Sequence, residues 1–149
     1  MTCSPRRRCY LILEATGFKL DPRVRMHEPM GFHDYNCLQM NAFAVVSDSG
    51  TLPEESSFFA SIGRPFSAVC IRTSTERPEA LDKACFTLAG ISEKGLLQAV
   101  HTAVALDEEG SLPQAPVPDY ADENVSTKVV KIIQSYTGVV DKMVWRKQG

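Results

Sequence analysis

Four short apolar runs recur about twenty residues apart, and this spacing constrains the fold of the 149-residue chain more than any other feature. The runs predict β-strands at Val24–His27, Phe43–Ser47, Ser67–Ile71 and Cys85–Leu88. The second run is continuously apolar, as in parallel strands that are buried on both faces. Because segments with helical character separate the runs, we predict an α/β fold with a parallel sheet and helices on both faces.

Helical segments fill the gaps between the predicted strands. They are expected at Arg6–Ala15, His33–Ala42, Leu52–Ala60, around Pro78, from Ser92 to about Leu106, and from near Asn124 onward. Ser92 is the expected cap of its helix, and Gly138 is expected to interrupt the last one. Prolines at 113, 116 and 118 predict a stiff, non-helical connection. We therefore divide the chain into a main domain at 1–120 and a helical extension at 121–149 that packs back onto it.

Composition excludes several classes of protein. Apolar residues make up 44% of the chain and charged residues 23%, which excludes a disordered tail, a collagen-like repeat and a coiled-coil rod. Sixteen Lys and Arg against eighteen Asp and Glu leave a net charge of −2, so the chain has no general attraction for nucleic acid or anionic membranes. No apolar run approaches the roughly 20 residues that cross a bilayer, and Glu14 cuts short the run that resembles a signal peptide core. We expect a cytoplasmic protein without nucleic-acid or membrane partners.

The cysteine pattern indicates neither disulfides nor zinc. There are five cysteines, an odd number, and they are widely spread without a C-x-x-C pair. We expect reduced, mostly buried thiols and no metal site.

The loop after the second predicted strand carries a possible phosphate site. Residues 48–51 read D-S-G-T, and a helix is expected directly after them. Gly50 lets a phosphate approach the backbone, Ser49 and Thr51 supply hydroxyls, and the N–H groups of a helix start favour an anion. The stretch matches neither G-x-G-x-x-G nor a P-loop. From the residues alone, the ordinary role of a helix cap is the simpler explanation of Ser49, because serine routinely caps helices at such a position.

Two acidic residues follow this loop in the first turn of the expected helix. Glu54 and Glu55 either complement the helix dipole, or one of them accepts hydrogen bonds from the vicinal hydroxyls of a sugar. Composition does not choose between these readings.

The loop after the third predicted strand combines two arginines with three hydroxyl residues. Arg72 and Arg77 flank Thr73-Ser74-Thr75, and guanidinium groups bind phosphate bidentately. The alternative is a surface ion pair, either Arg77–Glu79 or Arg72–Glu76. A separate stretch at 31–35 contains Tyr35, which either stacks on a base or belongs to the core.

At these loops the sequence resembles the non-hydrolysing UDP-N-acetylglucosamine 2-epimerases. Residues 48–55 read D-S-G-T-L-P-E-E, which is similar to the family motif D-S-G-G-x-x-E-E. Residues 73–80 read T-S-T-E-R-P-E-A, which closely resembles the long and unusual family motif T-T-E-R-P-E-A. Residues 30–39 and the tail from Pro118 to Trp145 look more like one branch, the capsule and O-antigen epimerases that act on UDP-2-acetamido-2,6-dideoxy-L-hexoses.

This resemblance implies a fold and a reaction. The family has two Rossmann-like halves of a GT-B-type fold, with the nucleotide sugar in the cleft between them. The C2 proton is removed, UDP is eliminated, and UDP then adds back with the C2 configuration inverted. No metal or redox cofactor takes part. This chain then corresponds to the second half, its UDP-binding Rossmann-like half-domain, with the first strand of that half missing.

The resemblance also assigns roles to individual residues. Ser49 and Gly50 are expected to hold the diphosphate, and Arg77 is expected to pair with it. Glu55 is expected to bind the ribose hydroxyls, and Tyr35 lies where the family places an aromatic residue near the uracil. These residues form the predicted UDP-binding site.

The chain departs from the family pattern in ways that bear on activity. Family members are much longer, and the carboxylates that perform the acid–base work at C2 belong to the first domain, so no catalytic residue is identified here. Ser4 stands where the branch has a histidine, and Thr51 replaces the second glycine of the general motif. We expect the chain alone not to epimerise, the full-length protein to form homo-oligomers, and the exposed sheet edge to favour self-association. The alternatives are a catalytically inactive nucleotide-sugar-binding module or half of a glycosyltransferase.

Overall fold

The computed structural model describes residues 2–3, 7–113 and 115–147. They fall into two compact units, Met1–Phe43 and Ala44–Gly149. The boundary between Phe43 and Ala44 falls within the second predicted strand, before β3 begins at Val45. The predicted division at residue 120, and the packing of the C-terminal extension, remain predictions.

The first unit contains a two-stranded parallel sheet and two helices. Its elements are β1 (Thr2–Cys3), α1 (Arg7–Thr16), β2 (Arg25–Met26) and α2 (Phe32–Met40). Thr2 is paired with Arg25, and Cys3 with Met26. β2 lies within the first predicted strand, whereas β1 carries no apolar run by which the sequence would reveal it. The predicted start of the first helix, Arg6, lies outside the described residues.

The second unit contains a three-stranded parallel sheet in the order β3-β4-β5. Its strands and helices are β3 (Val45–Ser47), α3 (Leu52–Ser61), β4 (Ala68–Cys70), α4 (Pro78–Asp82), β5 (Thr87–Leu88), α5 (Glu93–Glu108), a 3-10 turn (Pro118–Tyr120) and α6 (Val125–Met143). Each strand lies within a predicted one. The side chain of Ser92 accepts a hydrogen bond from the Gly95 N–H, so the predicted cap of α5 is confirmed.

The central strand β4 separates two apolar clusters. Ala68 and Cys70 belong to a cluster with Leu52 and Phe59 of α3, while Val69 packs on the other face against alanines of α5. Leu52 and Val69 are fully buried. Burial of an aliphatic side chain of this size contributes roughly 1.5–3 kcal/mol to folding. The predicted α/β fold with helices on both faces of a parallel sheet is therefore confirmed.

The proline-rich connection runs back over α3. The buried N–H of Val117 donates a hydrogen bond of 2.8 Å to Ser57 Oγ, which is itself buried. This bond satisfies a main-chain donor that the connection would otherwise leave without a partner. The hydrogen bond thereby holds the connection on α3.

Helix α6 differs from its prediction. It runs without a break from Val125 to Met143, so the predicted interruption at Gly138 is wrong. Among the described residues, and apart from the chain neighbours and the backbone of the helix, nothing lies within 4 Å of a Cβ placed on Gly138. An exposed helix tolerates one glycine at a cost of about 1 kcal/mol. The helix has no buried residue, and its apolar stripe is exposed.

The cysteines test the prediction of reduced, mostly buried thiols. Four described cysteines are free; Cys70 and Cys85 are buried, whereas Cys9 and Cys37 are exposed, so the expectation of mostly buried thiols holds for half of them. Burial raises the pKa of both buried thiols. Within the described ranges, no helix has the length and apolar character needed to cross a membrane.

Candidate functional site

The loops that follow β3 and β4 meet at one edge of the sheet. The two strands are parallel, with Ser47 paired to Cys70, and the Ile71 N–H donates a hydrogen bond of 3.0 Å to the carbonyl of Ser47. Their carboxyl ends therefore lie side by side, which is where ligands bind in open parallel sheets. The predicted site residues Ser49, Gly50, Glu55 and Arg77 all lie on these two loops or in the first turn of α3.

A chain of hydrogen bonds links Ser49 and Thr51 of the first loop to Glu55 in the first turn of α3. Thr51 Oγ1 donates to Glu55 Oε1 at 2.8 Å and lies 2.9 Å from Ser49 Oγ. Because the single hydroxyl proton of Thr51 is directed to Glu55, Ser49 is the donor in the second contact. Ser49 Oγ also accepts a hydrogen bond from the Thr51 N–H. The chain fixes the position of Glu55 relative to the loop.

Ser49 lies two residues before Thr51, the N-cap residue of α3. The side chain of Thr51 accepts no hydrogen bond from the first turn of the helix. Ser49 Oγ accepts a bond from the Thr51 N–H at the start of the helix, so the capping role of Ser49 stays a prediction beside the phosphate-binding one. Pro53 has no N–H, so the main-chain donors of this first turn are those of Leu52 and Glu54.

Gly50 lies beneath an arginine of the neighbouring loop. A Cβ placed on Gly50 would have Arg72 Nη1 as its nearest neighbour, at 4.0 Å. The backbone of the first loop and a guanidinium of the second therefore face a common space. A side chain larger than that of glycine would occupy the space between them.

Arg77 reaches back to the first turn of α3. Its Nε donates a hydrogen bond of 2.8 Å to Glu54 Oε1, and its Nη1 donates to the Glu76 carbonyl. The bond to Glu54 raises the pKa of Arg77, so the guanidinium stays charged. The two bonds occupy two of the five guanidinium donors. Neither ion pair proposed from spacing, Arg77–Glu79 or Arg72–Glu76, occurs among the described residues; the partner of Arg77 is Glu54.

Glu79, in the first turn of α4, accepts a hydrogen bond from a tyrosine. Tyr120 Oη donates a hydrogen bond of 2.7 Å to Glu79 Oε1. This bond is the main cause that lowers the pKa of Glu79, and the charge of Arg77 acts in the same direction. Burial, together with the bond to Glu79, raises the pKa of Tyr120 far above its ordinary value of 10.0, so the tyrosine remains a donor.

A cleft of about 490 Å³ opens beside these groups. Glu54 and Tyr120 both line it. The remaining lining residues are Ser57, Phe58, Ser61, Pro116 and Ala121. The cleft therefore lies between α3 and the proline-rich connection.

Tyr35 lies on α2 in the first unit. Its hydroxyl accepts a hydrogen bond of 3.1 Å from Gln39 Nε2, one helical turn further along. Its ring is partly exposed, and Gln39 is buried. Its predicted place near the uracil remains a prediction. The position of Ser4 lies outside the described residues, as does any consequence of the missing histidine.

The contacts of Glu54 and Tyr120 are not predicted from the sequence. The sequence does not distinguish the role of Glu54 from that of Glu55, and it assigns no role to Tyr120 in the tail. Their partners, Arg77 and Glu79, are 23 and 41 residues away along the chain, a separation at which spacing carries no signal. In the part of the chain that the structure describes, no group of three or more His, Cys, Asp and Glu residues is arranged to hold a metal ion.

Comparisons with known proteins give a consistent family. A family model described as UDP-N-acetylglucosamine 2-epimerase matches residues 1–134. The UDP-N-acetylglucosamine 2-epimerase of Bacillus subtilis is 30% identical over 117 residues, which are 78% of this chain and 29% of that protein. The structure of UDP-N-acetylglucosamine 2-epimerase from Rickettsia bellii superposes with a TM-score of 0.72 at 34% identity, over 98% of this chain and 39% of that one.

A more distant structure shows the same fold. The UDP-GlcNAc 2-epimerase of Methanocaldococcus jannaschii, solved in complex with UDP-GlcNAc and UDP, superposes with a TM-score of 0.68 at 21% identity. The match covers 90% of this chain and 35% of that one.

The fold and the matched structures define an α/β protein built on a parallel sheet, with polar loops at the carboxyl ends of its strands. The chain belongs to the UDP-N-acetylglucosamine 2-epimerase family, as its resemblance at 48–55 and 73–80 predicted. It spans about 30% of the length of the curated relatives it matches.

Proposed function

We propose that this chain is the UDP-binding part of a UDP-N-acetylhexosamine 2-epimerase. The observation that carries the proposal is the meeting of two arginines with the start of α3. Arg72 lies 4.0 Å from the Cβ position of Gly50, and Arg77 lies 2.8 Å from Glu54 in the first helical turn. Guanidinium groups and a helix N-terminus both attract a diphosphate. The M. jannaschii relative was solved with UDP-GlcNAc and UDP bound, which supports this ligand class.

The diphosphate half of the site is assigned to Ser49, Gly50 and Arg77. The open space above Gly50 admits a phosphate oxygen close to the main chain. Arg77 uses Nε for Glu54 and Nη1 for a carbonyl, and a diphosphate would bind its remaining donors. Glu54 fixes the guanidinium at the edge of the loop before the ligand arrives, which reduces the entropy lost on binding.

The ribose contact is assigned to Glu55. Thr51 donates to one oxygen of Glu55, and a carboxylate has further lone pairs that suit two vicinal ribose hydroxyls. The hydrogen-bonded chain from Ser49 through Thr51 to Glu55 links the diphosphate loop to the ribose contact. On the family resemblance alone, we assign Tyr35 as the aromatic residue near the uracil.

We propose that the full-length protein inverts the C2 configuration of a UDP-hexosamine. Loss of the C2 proton and of UDP is followed by re-addition of UDP, without a metal or redox cofactor. The proposed setting is cytoplasmic synthesis of nucleotide sugars for bacterial capsule or O-antigen, by a homo-oligomeric enzyme. This chain supplies UDP-binding groups but no identified acid–base pair, so we expect it to bind UDP and not to epimerise by itself.

Calorimetric titration with UDP tests this proposal. Wild-type protein should bind UDP saturably, and Glu55→Ala should weaken the binding. Glu108→Ala is the matched control, because Glu108 is an exposed glutamate in the last turn of α5, at the opposite end of that helix from the end of β5. Equal affinities for wild type and both variants would contradict the ribose assignment. No UDP binding by a folded sample would contradict the proposed function.

The same samples test the expected lack of turnover. Incubation with UDP-GlcNAc, followed by separation of the C2 epimers, should show no conversion. Clear epimerisation would show that this chain contains its own acid–base groups. Transfer of the sugar to a second molecule would favour a glycosyltransferase.

A further inference from the structure

The contact between Tyr120 and Glu79 has no part in the UDP site as proposed above. It joins the 3-10 turn to α4, two segments that are far apart along the chain. The hydroxyl of Tyr120 and Oε1 of Glu79 are 2.7 Å apart, a distance typical of a charge-assisted bond. Such a contact fixes the orientation of the Glu79 carboxylate.

Glu79 is a potential competitor for the donors of Arg77. Glu79 lies in the first turn of α4, two residues after Arg77, which is the N-cap residue of that helix. The charge of Arg77 helps to lower the pKa of Glu79. Spacing alone favours a direct ion pair between them, yet Arg77 binds Glu54 and Glu79 accepts from Tyr120. Glu54 and Tyr120 line the same cleft, so the two hydrogen bonds are close together.

We propose that Tyr120 is a positioning residue that holds Glu79 away from the Arg77 guanidinium, keeping its donors available for a diphosphate. The inference rests on the proposed function, because it requires a diphosphate at Arg77. A carboxylate and a phosphate make the same charge-assisted hydrogen bonds to a guanidinium, so they compete for it. The hydrogen bond from the Tyr120 hydroxyl holds the Glu79 carboxylate and so weakens this competition, while Glu79 keeps its negative charge.

Tyr120→Phe tests the inference, because it removes the hydroxyl and keeps the ring. UDP affinity should fall about two- to tenfold, the effect expected of one hydrogen bond. Adding Glu79→Gln to this variant removes the competing charge and should restore the affinity of the wild type. Tyr136→Phe, on the exposed face of α6, is the matched control and should have no effect.

The rescue separates positioning from a merely structural role. Damage to the fold by loss of the Tyr120 hydroxyl would not be repaired by Glu79→Gln. An unchanged UDP affinity in Tyr120→Phe would overturn the inference, and so would a loss that Glu79→Gln does not reverse. Either result, with UDP bound by the wild type, leaves the proposed function intact. No UDP binding by the wild type would overturn both.

Discussion

Arg77 Nε donates a hydrogen bond of 2.8 Å to Glu54 Oε1 and thereby joins the loop that follows β4 to the first turn of α3, the helix that follows the neighbouring strand β3. Both side chains are partly exposed, so the pair contributes little to stability. Its effect is geometric. It places a guanidinium at the N-terminal turn of α3, where the helix dipole already favours an anion.

Arg77→Ala should weaken UDP binding by about 1.5–3 kcal/mol, because a charge-assisted pair with the diphosphate is lost. Calorimetric titration measures the change. Arg64→Ala is the control, since Arg64 is an exposed arginine of the loop between α3 and β4. An unchanged affinity in Arg77→Ala would show that Arg77 is a surface ion-pair residue.

Gly50→Ala should bind UDP at least about tenfold more weakly and remain as stable as the wild type. The new methyl group meets nothing closer than Arg72 Nη1 at 4.0 Å, an ordinary contact, but it occupies the space intended for a phosphate oxygen. Titration with UDP and thermal unfolding measure the two quantities.

Gly95→Ala is the complementary control for this prediction. A Cβ there would lie 2.7 Å from the Ala89 carbonyl oxygen and 2.9 Å from Ser92 Oγ, so about 1–3 kcal/mol of stability should be lost. UDP affinity should be unaffected in the folded fraction. Undiminished UDP binding by Gly50→Ala would place the phosphates elsewhere.

Ser57→Ala should lower the free energy of unfolding by about 1–3 kcal/mol. The change leaves the buried N–H of Val117 without the oxygen that now accepts its 2.8 Å bond. Urea unfolding measures the loss. Ser61→Ala, on the same helix but exposed, should cost less than about 0.5 kcal/mol. Equal effects of the two substitutions would show that the connection is not held through Ser57.

The pH dependence of stability should reveal Tyr120. Its pKa is raised by burial and by the bond to Glu79, so the folded state keeps the phenol proton after the unfolded state has lost it. The free energy of unfolding therefore falls as the pH rises above about 10. The stability difference between wild type and Tyr120→Phe should be constant near neutrality and shrink in this alkaline range. Urea unfolding at several pH values measures it, and a constant difference throughout would contradict the raised pKa.

Four of the five described strands and most helices are predictable from the sequence, because their signals are local. β2 to β5 each lie within a predicted apolar run, and Ser92 caps α5 as expected. The predicted break at Gly138 is wrong because the low helix propensity of one glycine is a weak signal in a long exposed helix. Ser49, Gly50, Glu55 and Arg77 lie after the strands β3 and β4, as the sequence predicts, but the hydrogen bonds between side chains of this region are not predictable from the sequence. Contacts such as Arg77–Glu54 depend on which strands become neighbours, and that information is not contained in spacing.

Binding of UDP at the loops after β3 and β4 can be observed in amide NMR spectra of the ¹⁵N-labelled protein, recorded during titration with UDP. Saturable shifts are expected, and they should be largest at the N–H groups of Gly50, Leu52 and Arg77. Saturable shifts confined to other parts of the chain, or no shifts in a folded sample, would contradict it.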